Sequence, residues 1–259
     1  MNIVVCVKQV PDSAAKVAAE DGQVTWGEAP LVMNPWDEYA VETALLQKEA
    51  YGGEVTVLTV GGEEAKEALK SGLAMGCDRA VLISDPELAG ADSQSVAQVL
   101  AAAIGEVGDV DLALFGKQAI DGDMGVTAPQ TARVLNWSML SLVSVIQELD
   151  PDARVIRVER LVEEGRQIVE AKLPVVMNVS KDIAEPRYPS FMGIRKASRA
   201  EVPVWTLEDI GLEAPDSVVR WPEVSNLPVK EVSTEIISGD SPQEIAESLV
   251  EKVLSEKVL

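Results

Sequence analysis

The feature that most constrains this chain is an alternation along its first half, in which short and nearly continuous apolar runs are separated by longer segments with helical spacing. Asn2 to Lys8 (NIVVCVK) is apolar at almost every position, the pattern of a strand covered on both faces rather than one with a wet side. Asn34 then offers a side-chain cap, Pro35 suits the first helical position, and Trp36, Tyr39, Ala40, Thr43 and Ala44 recur at helical spacing until Gly52 and Gly53 stop the segment. The cycle repeats with a strand at Glu54 to Val60 and a helix whose inner face is Ala65, Ala68, Leu69, Gly72 and Leu73. A strand at Arg79 to Ile83, a helix at Ser93 to Val107 and a strand at Asp111 to Phe115 follow. This βαβαβαβ order predicts an α/β, Rossmann-like, mostly parallel sheet with helices on both faces. Ligands of such sheets bind at the carboxyl ends of the strands, where the direction of chain progression reverses.

After Leu135 the texture changes. Ser141 to Leu149, Arg154 to Val162 and Ile168 to Leu173 read as strands, the last two joined by a turn at Glu163-Glu164-Gly165-Arg166, which predicts a hairpin extension of the sheet. Pro174 to Ser180 is a further strand. Glu185 to Ser198 (EPRYPSFMGIRKAS) reads as a surface loop entering a short helical turn, and Pro215 to Pro228 as an extended connector. Ser241-Pro242 opens a final helix, Gln243 to Val258, with Ile245, Leu249, Val250 and Val253 on one side. The expected organisation is an α/β domain over 1–225 and a linker with a C-terminal helix over 226–259.

Composition removes whole classes of chemistry. Histidine is absent, which excludes Ser-His-Asp and Cys-His relays and histidine-ligated zinc or haem. Cys6 and Cys77 lie far apart, outside any metal or redox spacing, and read as small core residues. A formal net charge of −21 repels nucleic acid and anionic lipid, so a bound phosphate has to be held by local donors, chiefly backbone N–H groups. Neither a membrane-spanning run nor a signal-peptide layout is present in the sequence as given, and the expected location is cytoplasmic.

The stretch that carries binding chemistry is Gly116 to Gln130 (GKQAIDGDMGVTAPQ), between a predicted strand and a predicted helix. A Gly-containing loop that restarts as a helix presents free N–H groups at a positive dipole end. Gly122 and Gly125 permit close approach, Thr127 adds a hydroxyl, and Lys117 is the nearest cation. Asp121 and Asp123 are expected to accept backbone N–H bonds or ribose hydroxyls. The spacing is neither Walker A nor G-x-G-x-x-G and fits a plain polar βα loop equally well. Lys8 to Asp12 (KQVPD), Asn34 to Asp37 (NPWD) and Val60-Gly61 sit at other strand ends or at the first helix start, so a parallel sheet brings them to the same edge.

In order and spacing, VKQVPD at Val7, NPWDEYAVETAL at Asn34, GLAMGCDRA at Gly72, GKQAIDGD at Gly116, VERLVEEGRQIVEAKLPVVMNVS at Val158 and EPRYPSFMGIRKAS at Glu185 together resemble the beta subunits of electron-transfer flavoproteins. The resemblance implies an electron carrier subunit rather than an enzyme, paired with a larger alpha subunit that carries the redox FAD. It also implies AMP, or in electron-bifurcating members a second FAD, in the beta subunit's own pocket. Carried over by position, the cofactor contacts are Cys6, Asn34, Pro35, Trp36, Asp37 and Val60, then Lys117, Gln118, Ala119, Ile120, Asp121, Gly122, Asp123, Met124, Gly125, Val126, Thr127 and Ala128. The segment from Glu185 resembles the loop that meets flavin dehydrogenases such as those of the acyl-CoA dehydrogenase type, with Phe191 at the apolar anchor position and Arg187, Tyr188, Arg195, Lys196 and Arg199 around it. Gly122, Asp123 and Pro129 lean towards the FAD-binding pattern whereas Met124, Thr127 and the EPRY segment do not, so AMP and a second FAD both stand.

Two other classes share the layout. A non-redox, nucleotide-binding regulatory domain leaves the hairpin, the basic loop and the final helix without a purpose. An ATP-using enzyme of the pyrophosphatase type requires Ser-Gly-Gly-x-Asp-Ser after the first strand, where this chain has Gln9-Val10-Pro11-Asp12-Ser13.

Overall fold

The computed structural model describes residues 1–221, 223–228 and 234–256. It divides into two compact units, Met1–Val224 and Ser225–Leu259. In chain order the first unit contains β1 (Asn2–Cys6), β2 (Gln9–Pro11), β3 (Ala18–Glu20), β4 (Gln23–Thr25), β5 (Leu31–Met33), α1 (Pro35–Tyr51), β6 (Glu54–Val60), α2 (Lys66–Met75), β7 (Arg79–Ile83) and α3 (Ser93–Val107). It continues with β8 (Leu112–Gly116), α4 (Thr127–Leu135), β9 (Ser138–Asp150), β10 (Val155–Val162), β11 (Gly165–Lys172), β12 (Val175–Val179), α5 (Phe191–Ala197) and β13 (Val204–Trp205). The second unit contains α6 (Pro242–Ser255).

A 9-stranded sheet runs in the order β11-β10-β9-β12-β8-β1-β6-β7-β13. From β9 to β13 every pairing is parallel, while β10 and β11 extend the edge as an antiparallel hairpin. Alternate residues of the buried strands feed two cores. Ile3, Val5, Val55 and Val57 pack with Val41, Ala44 and Leu69 of α1 and α2. Val4, Cys6, Leu58 and Phe115 pack with Leu100, Ile104, Ala128 and Ala132 of α3 and α4. Gly72 lets α2 lie close on the sheet, since a Cβ there would lie 3.2 Å from the Val57 side chain.

The chain leaves β1 for β6 and β7 on one side, then crosses to β8 on the other. That reversal at β1 opens a crevice above the carboxyl ends of the strands.

The structure corrects several expectations. Gln9–Pro11, within the segment Lys8 to Asp12 for which the sequence predicts no element, pairs with Leu31–Met33 as a small antiparallel ribbon. The β10–β11 turn is confined to Glu163 and Glu164, because Gly165 already pairs with Val162. Strand β9 begins at Ser138, ahead of the expected Ser141, and β8 is shifted to Leu112–Gly116. The short β13 carried no signal, since a two-residue strand is too brief for a period to show. The final helix ends at Ser255, so that Glu256 falls just beyond it, while Lys257 and Val258 of the predicted helix lie outside the described residues, as does Pro222 of the expected connector.

Candidate functional site

A cleft of about 290 Å³ opens above the ends of β1, β6 and β8, between the amino-terminal ends of α3 and α4. Its size is at the lower end of the range for small-molecule sites. Of the residues singled out in the sequence, Cys6, Asn34, Asp37, Val60, Lys117, Gln118, Ala119, Asp121, Gly122, Asp123, Met124, Gly125, Thr127 and Ala128 line it. Pro35, Trp36, Ile120 and Val126 do not. Val7 and Lys8, from the VKQVPD segment, and Gly116, at the start of the loop segment, do, together with residues that no motif indicated: Ala91, Asp92, Ser93, Val96, Leu100, Phe115, Val219 and Trp221.

Asn34 makes no side-chain cap on α1, contrary to expectation. Its Nδ2 donates to the Gln118 carbonyl at 2.9 Å, and its Oδ1 accepts the Ile120 N–H at 3.2 Å. A buried amide bonded this way fixes the β8–α4 loop rather than its own helix. Three residues on, the Asp37 carboxylate accepts the Lys8 N–H at 2.7 Å. Burial pushes the Asp37 carboxyl up to about 7, against the N–H groups of Lys8 and Gly116, the Asn34 side chain and the Lys8 charge. Gly116 allows this approach, because a Cβ there would lie 2.6 Å from the Trp36 carbonyl carbon and press on the Asp37 carboxylate. Burial and the neighbouring Asp37 charge push the Cys6 thiol up as well, so it stays protonated and does not serve as a nucleophile. Cys77, also buried, is pushed up to about 12.

Of the two roles expected for the acidic residues of the loop, backbone acceptor is not the one seen within the chain. Asp121 accepts from the Lys8 ammonium at 2.6 Å, and Asp123 accepts from the Gln118 side-chain amide at 2.7 Å, so within the chain both bond to side chains rather than to backbone. Asp123 stands at φ 52° and Gly125 at φ 63°, which turns the backbone sharply ahead of α4. The Asp123 N–H closes a turn on the Ala119 carbonyl at 2.9 Å. Among the described residues, the N–H groups of Met124, Gly125, Val126, Thr127 and Ala128 have no acceptor within the chain. A run of unengaged amides at a helix start is a cradle for an anion. Lys117 adds positive charge, with its ammonium 5.4 Å from the centre of the Trp36 ring.

The loop at Glu185 to Arg199 lies elsewhere on the unit. Arg187 is engaged: its guanidinium meets Glu42 at 2.7 and 2.9 Å and Glu49 at 2.6 Å. It therefore holds the loop on α1 and is not a free steering charge. Tyr188 and Phe191 are 95% and 80% exposed, with Met192 and Ile194 also projecting, so Phe191 does not pack back on its own unit. Among the described residues there is no cluster suited to a metal ion, and no helix is long and apolar enough to cross a membrane.

Comparison with known proteins agrees with this architecture. The model of the electron transfer flavoprotein domain matches residues 24–210. The electron transfer flavoprotein subunit beta of Bacillus subtilis is 36% identical over 258 residues, covering 99% of this chain and 98% of the relative. That of Clostridium acetobutylicum is 35% identical over 263 residues, covering 99% of each. The caffeyl-CoA reductase-Etf complex subunit CarD of Acetobacterium woodii is 37% identical over 269 residues, covering 100% of each. With a matched domain across most of its length and full-length likeness to such subunits, the chain belongs to the electron transfer flavoprotein family, as a beta subunit that works beside an alpha subunit.

Proposed function

We propose that this subunit holds AMP in the cleft above β1, β6 and β8, and that it supports a redox FAD carried by the alpha subunit. The observation that carries the reading is the run of unengaged amides from Met124 to Ala128 at the start of α4, in a chain of net charge −21. In so acidic a molecule a phosphate needs such a cradle, and Lys8 and Lys117 stand at its side. The donors fit a phosphate monoester, and a cleft of about 290 Å³ suits one nucleotide better than two.

FAD supplies the electron chemistry through its isoalloxazine when bound. The residues of this chain bind, orient and shield. Asn34 and Asp37 fix the loop and the end of β1, and no side chain of the cleft acts as a catalyst, so the subunit alone turns nothing over. The exposed face of Tyr188, Phe191 and Met192, with Arg195, Lys196 and Arg199 beside it, docks on flavin dehydrogenases such as those of the acyl-CoA type. Leu249, Val250 and Leu254, exposed on α6, dock that helix on the alpha subunit. The complex works in the cytoplasm.

Co-expression with the alpha subunit, followed by denaturation and a count of released ligands, tests this. One FAD and one AMP per heterodimer are expected. Two FAD and no AMP replace the AMP reading with that of an electron-bifurcating, NADH-oxidising variant. Absence of any adenine nucleotide beyond the redox FAD sinks the cleft reading.

A further inference from the structure

Part of the cleft wall comes from the start of α3 and from Val219 and Trp221, in a stretch with no helix or strand of its own. Asp92 builds that wall. One carboxylate oxygen accepts the Ser95 N–H at 2.8 Å and caps α3; the other accepts the N–H groups of Val218 and Val219, each at 2.8 Å. The Asp92 N–H in turn donates to the Ser217 hydroxyl at 3.1 Å. Led by the Ser95 amide, these donors hold the Asp92 carboxyl down to about 2, so the clasp is ionised at any working pH.

The clasp fixes a ladderless backbone and delivers Trp221 to the rim of the cleft. That side chain is 77% exposed, and among the described residues it has neither a ring partner nor a hydrogen bond. A large flat apolar surface left in water beside a cavity is suited to cover a planar ligand. The lining offers both kinds of surface: polar groups at Lys8, Asn34 and the amide loop, and apolar ones at Val96, Leu100 and Val219. A nucleotide asks for both, with a sugar phosphate at one end and a base at the other.

We propose that Trp221, held in place by the Asp92 clasp, stacks on the base of the bound nucleotide and so selects nucleotides over sugar phosphates. The inference rests on the nucleotide reading of the cleft given above and adds the contact that recognises the base.

Calorimetric titration of the full chain with AMP and with ribose 5-phosphate tests it, using Trp221→Ala, Trp221→Phe and Asp92→Ala. Trp221→Ala is expected to weaken AMP about tenfold and to leave ribose 5-phosphate unchanged, while Trp221→Phe stays within about threefold of wild type. Asp92→Ala, which releases the backbone N–H groups of Val218 and Val219, follows Trp221→Ala. Equal AMP affinity in wild type and Trp221→Ala overturns the stacking role and leaves the nucleotide reading intact. Equal losses in Trp221→Ala and Trp221→Phe, or a parallel loss for ribose 5-phosphate, show a structural part instead and overturn it as well. Wild-type chain that takes up neither ligand removes the nucleotide reading itself, and this inference with it.

Discussion

Asn34 reaches across from the start of α1 to bind the backbone of Gln118 at 2.9 Å, and so the helix after β5 holds the loop after β8. The same side chain accepts from Ile120, which leaves it bonded at both ends while almost wholly buried. Asn34→Ala removes both bonds and strands a carbonyl and an amide, at a cost of about 1–3 kcal/mol. Urea denaturation should show that loss, and AMP titration a weaker site. Asn34→Asp should be at least as damaging, because a carboxylate has no donor for the Gln118 carbonyl. Wild-type midpoints in both variants would mean that the loop is held by other means.

Gly116 ends β8 against the turn of Trp36 and Asp37. Gly116→Ala forces a methyl into the Trp36 backbone, 2.7 Å from its carbonyl oxygen, and overpacking of this kind costs about 1–3 kcal/mol. The expected readout is a lowered thermal midpoint together with reduced nucleotide retention. An Ala variant as stable as wild type would show that α1 can retreat from the strand end.

Two carboxyls of the cleft give the stability opposite dependences on pH. Asp37 is held up to about 7 by burial, whereas in the unfolded chain it titrates near pH ~4. Between those values the folded chain keeps a proton that the unfolded chain has released, so stability falls as pH rises from about 4 to about 7. Asp92 is held down to about 2, chiefly by the Ser95 amide. Its contribution is present above about pH 4 and is lost as pH falls towards 2. Asp37→Asn should flatten the limb between about pH 4 and 7 and leave the acid limb in place. Chemical denaturation at a series of pH values measures both, and an unchanged neutral slope in Asp37→Asn would assign it to another group.

The loop from Glu185 to Arg199 separates residues that hold it from residues that it displays. Arg187→Ala leaves Glu42, 5% exposed, without its partner, and removal of one member of a buried pair costs about 3 kcal/mol. Phe191→Ala and Lys196→Ala change exposed groups and should alter stability by less than about 0.5 kcal/mol. If this face meets flavin dehydrogenases, Phe191→Ala slows electron transfer from them at unchanged stability. A normal transfer rate with that variant would remove Phe191 from the interface.

The sequence by itself determined the layers and their order. Apolar runs such as Asn2 to Lys8, alternating with capped helical segments, fixed a parallel sheet because a strand covered on both faces and a helix with one dry stripe each leave a distinct period in the chain. It also marked the Gly116 to Gln130 loop, since a glycine-bearing strand-to-helix turn is a local property. The tertiary structure alone decided what Asn34, Arg187 and Asp92 do and left Trp221 exposed at the cleft. Asn34 looks like a cap, Arg187 like a free charge, and Asp92 and Trp221 like unremarked surface residues. Their partners stand 84, 145 and 126 positions away for Asn34–Gln118, Arg187–Glu42 and Asp92–Val218. Short-range pattern records which face of an element is dry. Which polar group meets which across the ends of separate strands depends on how those strands are ordered in the sheet, and that becomes fixed only when the chain closes on itself.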